Sequence, residues 1–144
     1  MSEIVVKQVD GLTMVGRGES RHWVPMDGPE KFQGSEAGTR PMELFLISLA
    51  GCTGMDVISL LQKMRVKYRT MEVTVDSRRA PEHPKVYTWI KLVYKIYGKN
   101  LEQYKDKIEK AINLSQNKYC SVSEMIRQAN IPLEHEYELI EDED

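Results

Sequence analysis

Cys52 and Cys120 are the only cysteines of this 144-residue chain, and a cysteine thiolate is a strong nucleophile. Cys52 lies in an apolar stretch between Gly51 and Gly54. Each glycine inside a helix costs about 1 kcal/mol relative to alanine, so two of them here indicate that something comes close to Cys52. A ligand and a tightly packed second helix explain the glycines equally well.

Cys120 directly precedes the segment Ser121–Glu124 (SVSE), which has the pattern of a capping box at the start of a helix. A thiol at a helix N-terminus faces unpaired N–H groups and the positive end of the helix dipole, and both favour the thiolate. The alternative is a packing residue tucked under the first helical turn. Because most free cysteines in proteins are small buried packing residues, the number of cysteines alone favours a packing role for both over a reactive one.

Other candidate centres are weak. The three histidines, His22, His83 and His135, share no ligand spacing, so no metal site is expected. The sequence has no GxGxxG, P-loop or GxSxG pattern. Asp56 lies on the same apolar stretch as Cys52, and it is interpreted either as a satisfied core carboxylate or as a residue at the helix exit.

The composition is that of an ordinary soluble protein, with 41% hydrophobic and 29% charged residues and a net charge of −2. Such a balance gives no overall field to attract nucleic acid or anionic lipid. Charges within the first ten residues argue against a signal peptide, so two reduced thiols and a cytoplasmic location are expected. The length predicts a single domain over residues 1–144, with 141–144 as a solvated acidic tail.

The segment Pro41–Met64 is predicted to be the central helix. Its apolar residues point in nearly every direction, which is typical of a helix buried on all sides. Glu43 suits the positive end of the helix dipole. The segment is also the only candidate membrane span, but Glu43, Asp56 and Lys63 interrupt it, so a buried helix is the preferred interpretation.

The other predicted elements precede and follow this helix in the sequence. A glycine-containing loop at 27–40 precedes it, Asn100 is predicted to cap one later helix, and the Ser121 capping box opens another. Strands are predicted from period-two patterns at Ile4–Val9 and Leu12–Arg17 (joined by a turn at Asp10-Gly11), around Trp23, and at Lys67–Ser77, Val86–Tyr97 and Leu133–Ile140. This order predicts an α+β fold with a mostly antiparallel sheet.

Two segments resemble those of a known family. Pro41–Phe45 (PMELF) and Leu49–Val57 (LAGCTGMDV) resemble the central-helix motif of the OsmC/Ohr proteins, and Leu114–Val122 (LSQNKYCSV) resembles their second cysteine motif. The resemblance covers nearly the whole chain. It implies an OsmC-like fold, in which the sheet wraps around a long buried central helix, and an intertwined homodimer with two active sites at the subunit interface.

The resemblance also implies a chemistry, the reduction of organic hydroperoxides. Cys52 would attack the O–O bond as a thiolate and become a sulfenic acid, and Cys120 would condense with it to a disulfide. An external dithiol, lipoyl-type in the Ohr branch, would then restore both thiols. The resemblance implies no metal, nucleotide or other cofactor.

Helper residues follow from the same resemblance. Glu43 lies nine positions before Cys52, where Ohr proteins place a glutamate ten positions before, and one position turns a side chain about 100° around a helix. Arg17 matches the Ohr arginine that holds the thiolate. Arg40 and Lys31 are the alternatives in the loop, and lysine lacks the planar fork of arginine.

A second function stays open from the sequence. The fold could serve as a binding protein for a small molecule or an acyl chain, which would use an apolar pocket at the dimer interface while the cysteines only pack or sense the redox state. Met55, three positions after Cys52, is expected among the binding residues together with Arg40 and Lys31.

Overall fold

The computed structural model describes residues 3–143. These residues contain six β-strands and three α-helices. They form two compact units, one ending at Ile47 and the other beginning at Ser48. Three of the four strand pairings among these residues are antiparallel, so the predicted α+β fold with a mostly antiparallel sheet is confirmed.

The first unit contains a three-stranded sheet in the order β1-β2-β3, with strands at Val5–Asp10, Thr13–Arg17 and Val24–Met26. The hairpin between β1 and β2 forms as predicted. However, Asp10 pairs with Thr13, so the two loop residues are Gly11 and Leu12 rather than Asp10 and Gly11. Gly11 has φ 56°, in the left-handed region that glycine enters at little cost.

The loop after β3 is organised around a buried carboxylate. Asp27 is 3% exposed and accepts a hydrogen bond from Thr13 Oγ1 at 2.6 Å. It also accepts backbone N–H bonds from Gly28 at 2.7 Å, Ser35 at 3.3 Å and Ala37 at 3.2 Å. The Thr13 bond is the main cause that lowers the pKa of Asp27 to about 2, and the three N–H bonds lower it further against the cost of burial.

The second unit contains a sheet in the order β4-β5-β6, formed by Thr70–Arg79, Tyr87–Gly98 and Leu133–Glu141. β4 and β5 are antiparallel, and β5 and β6 are parallel. A parallel pair needs a long crossover, and here two helices supply it, α2 at Lys105–Leu114 and α3 at Ser121–Gln128.

Helix α1 spans Pro41–Lys63, so its predicted bounds are confirmed to within one residue. It is long and apolar enough to cross a membrane by length and composition alone, although the core helix of a soluble protein meets the same test. Leu49, Val57 and Leu61 are fully buried. They belong to a core that β5, α2 and α3 complete with Ile90, Leu92, Ile96, Ile108, Ile112 and Ile126.

The prediction that α1 is buried on all sides is wrong for the single chain. Its buried residues follow one stripe, Leu49, Thr53, Gly54, Val57 and Leu61. Met55, on another side, is 74% exposed. An apolar helix surface that one chain leaves exposed was not distinguishable from a core surface by hydrophobicity alone.

Two predictions about the ends of elements also need correction. Asn100 does not cap α2 with its side chain, because it adopts a left-handed φ of 56° and a 3-10 turn, Leu101–Tyr104, precedes the helix. The carboxylate of Glu141 accepts the N–H bonds of Asn100 at 3.1 Å and Leu101 at 2.8 Å instead. Asp142 accepts two bonds from Arg69, at 2.9 and 2.7 Å. Glu141 and Asp142 are therefore part of the fold, although a solvated tail was expected from residue 141 onward.

Candidate active site

The second unit brings the two cysteines together. Cys52 lies on α1, and Cys120 lies at the junction of α2 and α3, so 67 intervening residues separate them in sequence. Asp56 is on the same side of α1 as Cys52, because residues four apart in a helix are neighbours on its surface. Cys52 Sγ, Cys120 Sγ and a carboxylate oxygen of Asp56 all lie within 4.8 Å of one another.

A stretch of irregular helical backbone determines the position of Cys120. Helix α2 continues into a π-helical turn, Ser115–Tyr119, and the N–H of Cys120 donates to the carbonyl of Ser115 at 2.7 Å. Turns of this kind occur frequently at functional sites because they redirect one residue without ending the helical path. The turn here sets Cys120 at the start of α3.

Cys120 is itself the N-cap of α3, since its Sγ accepts the N–H of Ser123 at 3.4 Å. The predicted helix N-terminus at Cys120 is therefore confirmed, but the capping residue is one position earlier than the capping box indicated. Ser121 is the first residue of the helix rather than its cap. Cys120 is 3% exposed, whereas Cys52 is partly exposed, so an approaching molecule meets Cys52 first.

The electrostatic surroundings of Cys52 are mixed. Burial is the largest cause that raises the pKa of the Cys52 thiol, and the neighbouring Cys120 thiol and Asp56 carboxylate raise it further. A hydrogen bond from the backbone N–H of Val122, in the first turn of α3, acts in the opposite direction.

A buried hydrogen-bond network lies beneath the cysteines. Ser115 Oγ donates to Asp56 Oδ2 at 3.1 Å and lies 2.7 Å from Thr53 Oγ1, which in turn lies 2.6 Å from Tyr94 OH. Gln116 Nε2 donates to both Thr53 Oγ1, at 3.1 Å, and Tyr94 OH, at 2.7 Å. Burial raises the pKa of Tyr94 to about 12, so Tyr94 is a neutral phenol at physiological pH.

Arg127 of α3 holds the outer edge of this network. Its guanidinium donates to Gln116 Oε1 at 3.4 Å, to the Gln116 backbone carbonyl, and to Glu124 Oε2 at 3.0 Å. Sequence reasoning missed this network. The available signal was polar side chains beside both cysteines, Thr53 after Cys52 and Ser115–Gln116 before Cys120.

The two glycines near Cys52 have different surroundings. A Cβ atom at Gly54 would lie 3.6 Å from Val73 Cγ2 of β4, which is ordinary packing of the helix on the sheet. A Cβ atom at Gly51 would meet no heavy atom of the described residues within 4 Å. Close packing within the described residues therefore requires neither glycine, since a Cβ atom fits at Gly54 and Gly51 leaves open space beside Cys52.

The predicted helper residues lie in the first unit. The Arg17 guanidinium stacks over the Trp23 ring at 5.4 Å, and Lys31 Nζ lies 5.2 Å from the centre of the Phe32 ring. Arg40 bonds both Glu43, at 3.1 Å, and Glu36, at 3.2 Å. The structure thus pairs Arg40 with Glu43, and the choice of the cation that serves Cys52 stays a prediction.

Comparisons with known proteins agree on one family. The model of the OsmC-like protein family matches residues 33–136. Protein YhfA of Escherichia coli (strain K12) is 36% identical over 135 residues, covering 94% of this chain and 96% of YhfA. A hypothetical protein from Aquifex aeolicus VF5 superposes with a TM-score of 0.81 at 26% identity, covering 99% of this chain and 98% of that one.

A more distant structure carries a functional description. The organic hydroperoxide resistance protein OhrB of Bacillus subtilis superposes with a TM-score of 0.61, covering 96% of this chain and 98% of OhrB. At 16% identity this likeness shows a shared fold and nothing more.

Proposed function

Since this chain belongs to the OsmC-like protein family, we propose that it reduces organic hydroperoxides with Cys52 and Cys120. The observation that carries the proposal is the approach of the two thiols, whose sulfur atoms lie within 4.8 Å of each other. An accessible thiolate beside a second cysteine is the arrangement that keeps oxidation reversible. The substrate class is proposed from the fold that this chain shares with OhrB, which is described as an organic hydroperoxide resistance protein.

The proposed reaction balances without a cofactor. The Cys52 thiolate attacks the distal peroxide oxygen, the O–O bond breaks, and the alkoxide takes up a proton to leave as the alcohol. Cys52 is then a sulfenic acid. The Cys120 thiolate attacks its sulfur, a disulfide forms, and the hydroxyl group leaves as water after taking up a proton. An external dithiol reduces the disulfide by thiol–disulfide exchange and is itself oxidised.

Cys120 and α3 have complementary roles in this scheme. The N–H groups of Val122 and Ser123 donate to the two sulfur atoms, and the positive end of the α3 dipole favours negative charge there. The Val122 N–H offsets part of the burial cost that raises the pKa of Cys52. We propose that a cation supplies the rest, with Arg17 as the first choice, Arg40 the second and Lys31 the third, and that Glu43 orients it.

We further propose a homodimer in the cytoplasm as the working form. In the second unit, apolar side chains of α1 and α3 are exposed near the cysteines, including Met55 at 74% and Met125 at 62%. Burying such a surface against a second copy is favourable, at roughly 25 cal/mol per Å². Its position beside Cys52 would place an apolar substrate between the two chains.

The alternative is a binding protein for an apolar small molecule or an acyl chain. The negative charge of Asp56 beside Cys52 favours it, because that charge works against the thiolate that peroxide attack requires. In this alternative the exposed apolar surface binds the ligand and the cysteines only pack or sense the redox state.

One experiment separates the two functions. The reduced protein is treated with a stoichiometric organic hydroperoxide, free thiols are titrated, and the peptides are analysed by mass spectrometry. The peroxidase loses two thiols per chain and gives a Cys52–Cys120 disulfide, and a binding protein whose cysteines only pack retains both thiols. The Cys120→Ser variant is the matched control, because it can be oxidised at Cys52 but cannot form the disulfide.

A further inference from the structure

We infer that Cys52, Asp56 and Cys120 form a site for a thiophilic divalent cation of the zinc class, and that metal occupancy and disulfide formation exclude each other. This inference concerns a ligand that the proposed peroxide reaction does not use. It starts from the side chains themselves, two sulfur donors and one carboxylate oxygen that lie within 4.8 Å of one another.

The spacing of the donor atoms suits one ion. Zinc bonds measure about 2.3 Å to sulfur and about 2.0 to 2.2 Å to carboxylate oxygen, so tetrahedral ligand atoms lie about 3.5 to 3.8 Å apart. The observed limit of 4.8 Å exceeds this by about 1 Å. Rotations of three side chains can close that gap, because none of the three atoms is held by a covalent partner.

The donor set also favours a particular class of metal. Thiolates select soft or borderline cations, and a carboxylate beside two thiolates is compatible with zinc. Within residues 3–143 no further histidine, cysteine or acidic residue joins this group. Three protein ligands leave a fourth tetrahedral position for water or another small molecule, as in zinc sites that are open to exchange.

Outer contacts hold the donors in place. Ser115 Oγ donates to Asp56 Oδ2 at 3.1 Å, and this bond holds the carboxylate group in place. The N–H of Ser123 donates to Cys120 Sγ at 3.4 Å, and the N–H of Val122 donates to Cys52. Bonds of this kind orient metal ligands and reduce repulsion between anionic ones, and metal affinity falls by about 10- to 100-fold when they are lost.

Metal binding and peroxide reduction both require the lone pairs of the cysteine sulfur atoms, so the two compete. Binding replaces the two thiol protons by one divalent ion and releases both protons to solvent, without any redox change. A metal-bound Cys52 sulfur has given a lone pair to the ion and is a weaker nucleophile toward peroxide. Conversely, a Cys52–Cys120 disulfide removes both sulfur ligands and releases the ion. The partly exposed Cys52 provides the path of entry.

The test uses Co²⁺ as a spectroscopic probe of the reduced full-length protein under anaerobic conditions. We expect one Co²⁺ per chain, a sulfur-to-cobalt charge-transfer band in the near ultraviolet, visible bands of tetrahedral cobalt, and loss of all bands on addition of Zn²⁺. Asp56→Asn should weaken Co²⁺ binding by about tenfold or more. Asp76→Asn, which changes an exposed acid on β4, is the matched control and should bind as the wild type does.

Two results would overturn the inference. One is the absence of the cobalt bands in the reduced wild-type protein. The other is an Asp56→Asn variant that folds, as judged by circular dichroism, and binds Co²⁺ as tightly as the wild type. Should that variant not fold, the wild-type protein decides the matter: Zn²⁺ must slow the reaction of both thiols with a disulfide reagent by about tenfold or more, and equal rates reject the site.

The test of metal binding is independent of the proposed function, whereas the exclusion of metal by a disulfide rests on it. Cobalt binding is measured without peroxide, and peroxide oxidation is measured after treatment with a chelator. Cobalt binding without disulfide formation would support the metal site and reject the peroxidase function. Disulfide formation without cobalt binding would do the reverse.

Discussion

Removing the charge of Asp56 should make Cys52 more reactive. Burial is the largest cause that raises the pKa of the Cys52 thiol, and the Asp56 carboxylate, within 4.8 Å of Cys52 Sγ, adds to it by repelling the thiolate. Two unit charges at this distance interact by about 0.9 kcal/mol in water and by about 3.5 kcal/mol at an effective dielectric constant of about 20. Because Cys52 is partly exposed, the lower value is the better guide. Asp56→Asn should therefore increase the thiolate fraction of Cys52 at neutral pH about fivefold.

The assay is the rate of alkylation by iodoacetamide as a function of pH, with modified Cys52 quantified by mass spectrometry. The amide of the variant can still accept the bond from Ser115, so the local packing is retained. Asp76→Asn serves as the control for the loss of one negative charge elsewhere on the surface. A rate for Asp56→Asn equal to the wild-type rate would refute the repulsion argument, and a lower rate would show that Asp56 promotes ionisation of Cys52, for instance as its proton acceptor.

Four further experiments test the roles of individual residues. Cys52→Ser should abolish peroxide turnover. Cys120→Ser should undergo one oxidation and stop at a sulfenic or overoxidised Cys52, which mass spectrometry detects. Turnover by Cys52→Ser would reject the mechanism. Arg17→Ala should slow alkylation of Cys52 at pH 7 by about tenfold or more, with Arg40→Ala and Lys31→Ala as comparisons, and three unchanged rates would favour the binding protein. Asp27, with its pKa lowered from 3.8 to about 2, contributes stability that is present above pH 4 and is lost as the pH falls toward 2. Asp27→Asn should lower the melting temperature at pH 7 and reduce its dependence on pH between 4 and 2, and a melting curve like the wild type would contradict this. Met55→Glu should shift light scattering from dimer to monomer, since it places a charge on the exposed apolar surface of α1, and a monomeric wild-type protein would reject the dimer itself.

The elements of the fold could be predicted because they depend on local patterns. Alternating residues specified β4 and β5, and a long segment rich in apolar residues specified α1. Pairing between strands that are distant in sequence does not depend on such patterns. The parallel alignment of β5 with β6 is set by the path of the chain through α2 and α3, which no window of sequence encodes. The prediction that α1 is buried on all sides was wrong for a related reason. Hydrophobicity indicates that a surface avoids water, but it does not indicate which chain covers that surface.

The candidate site was predictable where chemistry is carried by a rare residue type, and not where it depends on common ones. Cys52 and Cys120 could be selected because thiols are few and their neighbours unusual. Asp56, Ser115 and Gln116 are ordinary polar residues in sequence, and only the fold brings them beneath the thiols. Their arrangement changes the chemical question. A thiol pair beside a cation would be explained by peroxide reduction alone, but a thiol pair beside a carboxylate must either overcome that charge or use it. An incoming cation, whether an arginine or a divalent metal, is what the charge of Asp56 favours. The identity of that cation therefore decides whether Cys52 acts as a nucleophile or as a ligand.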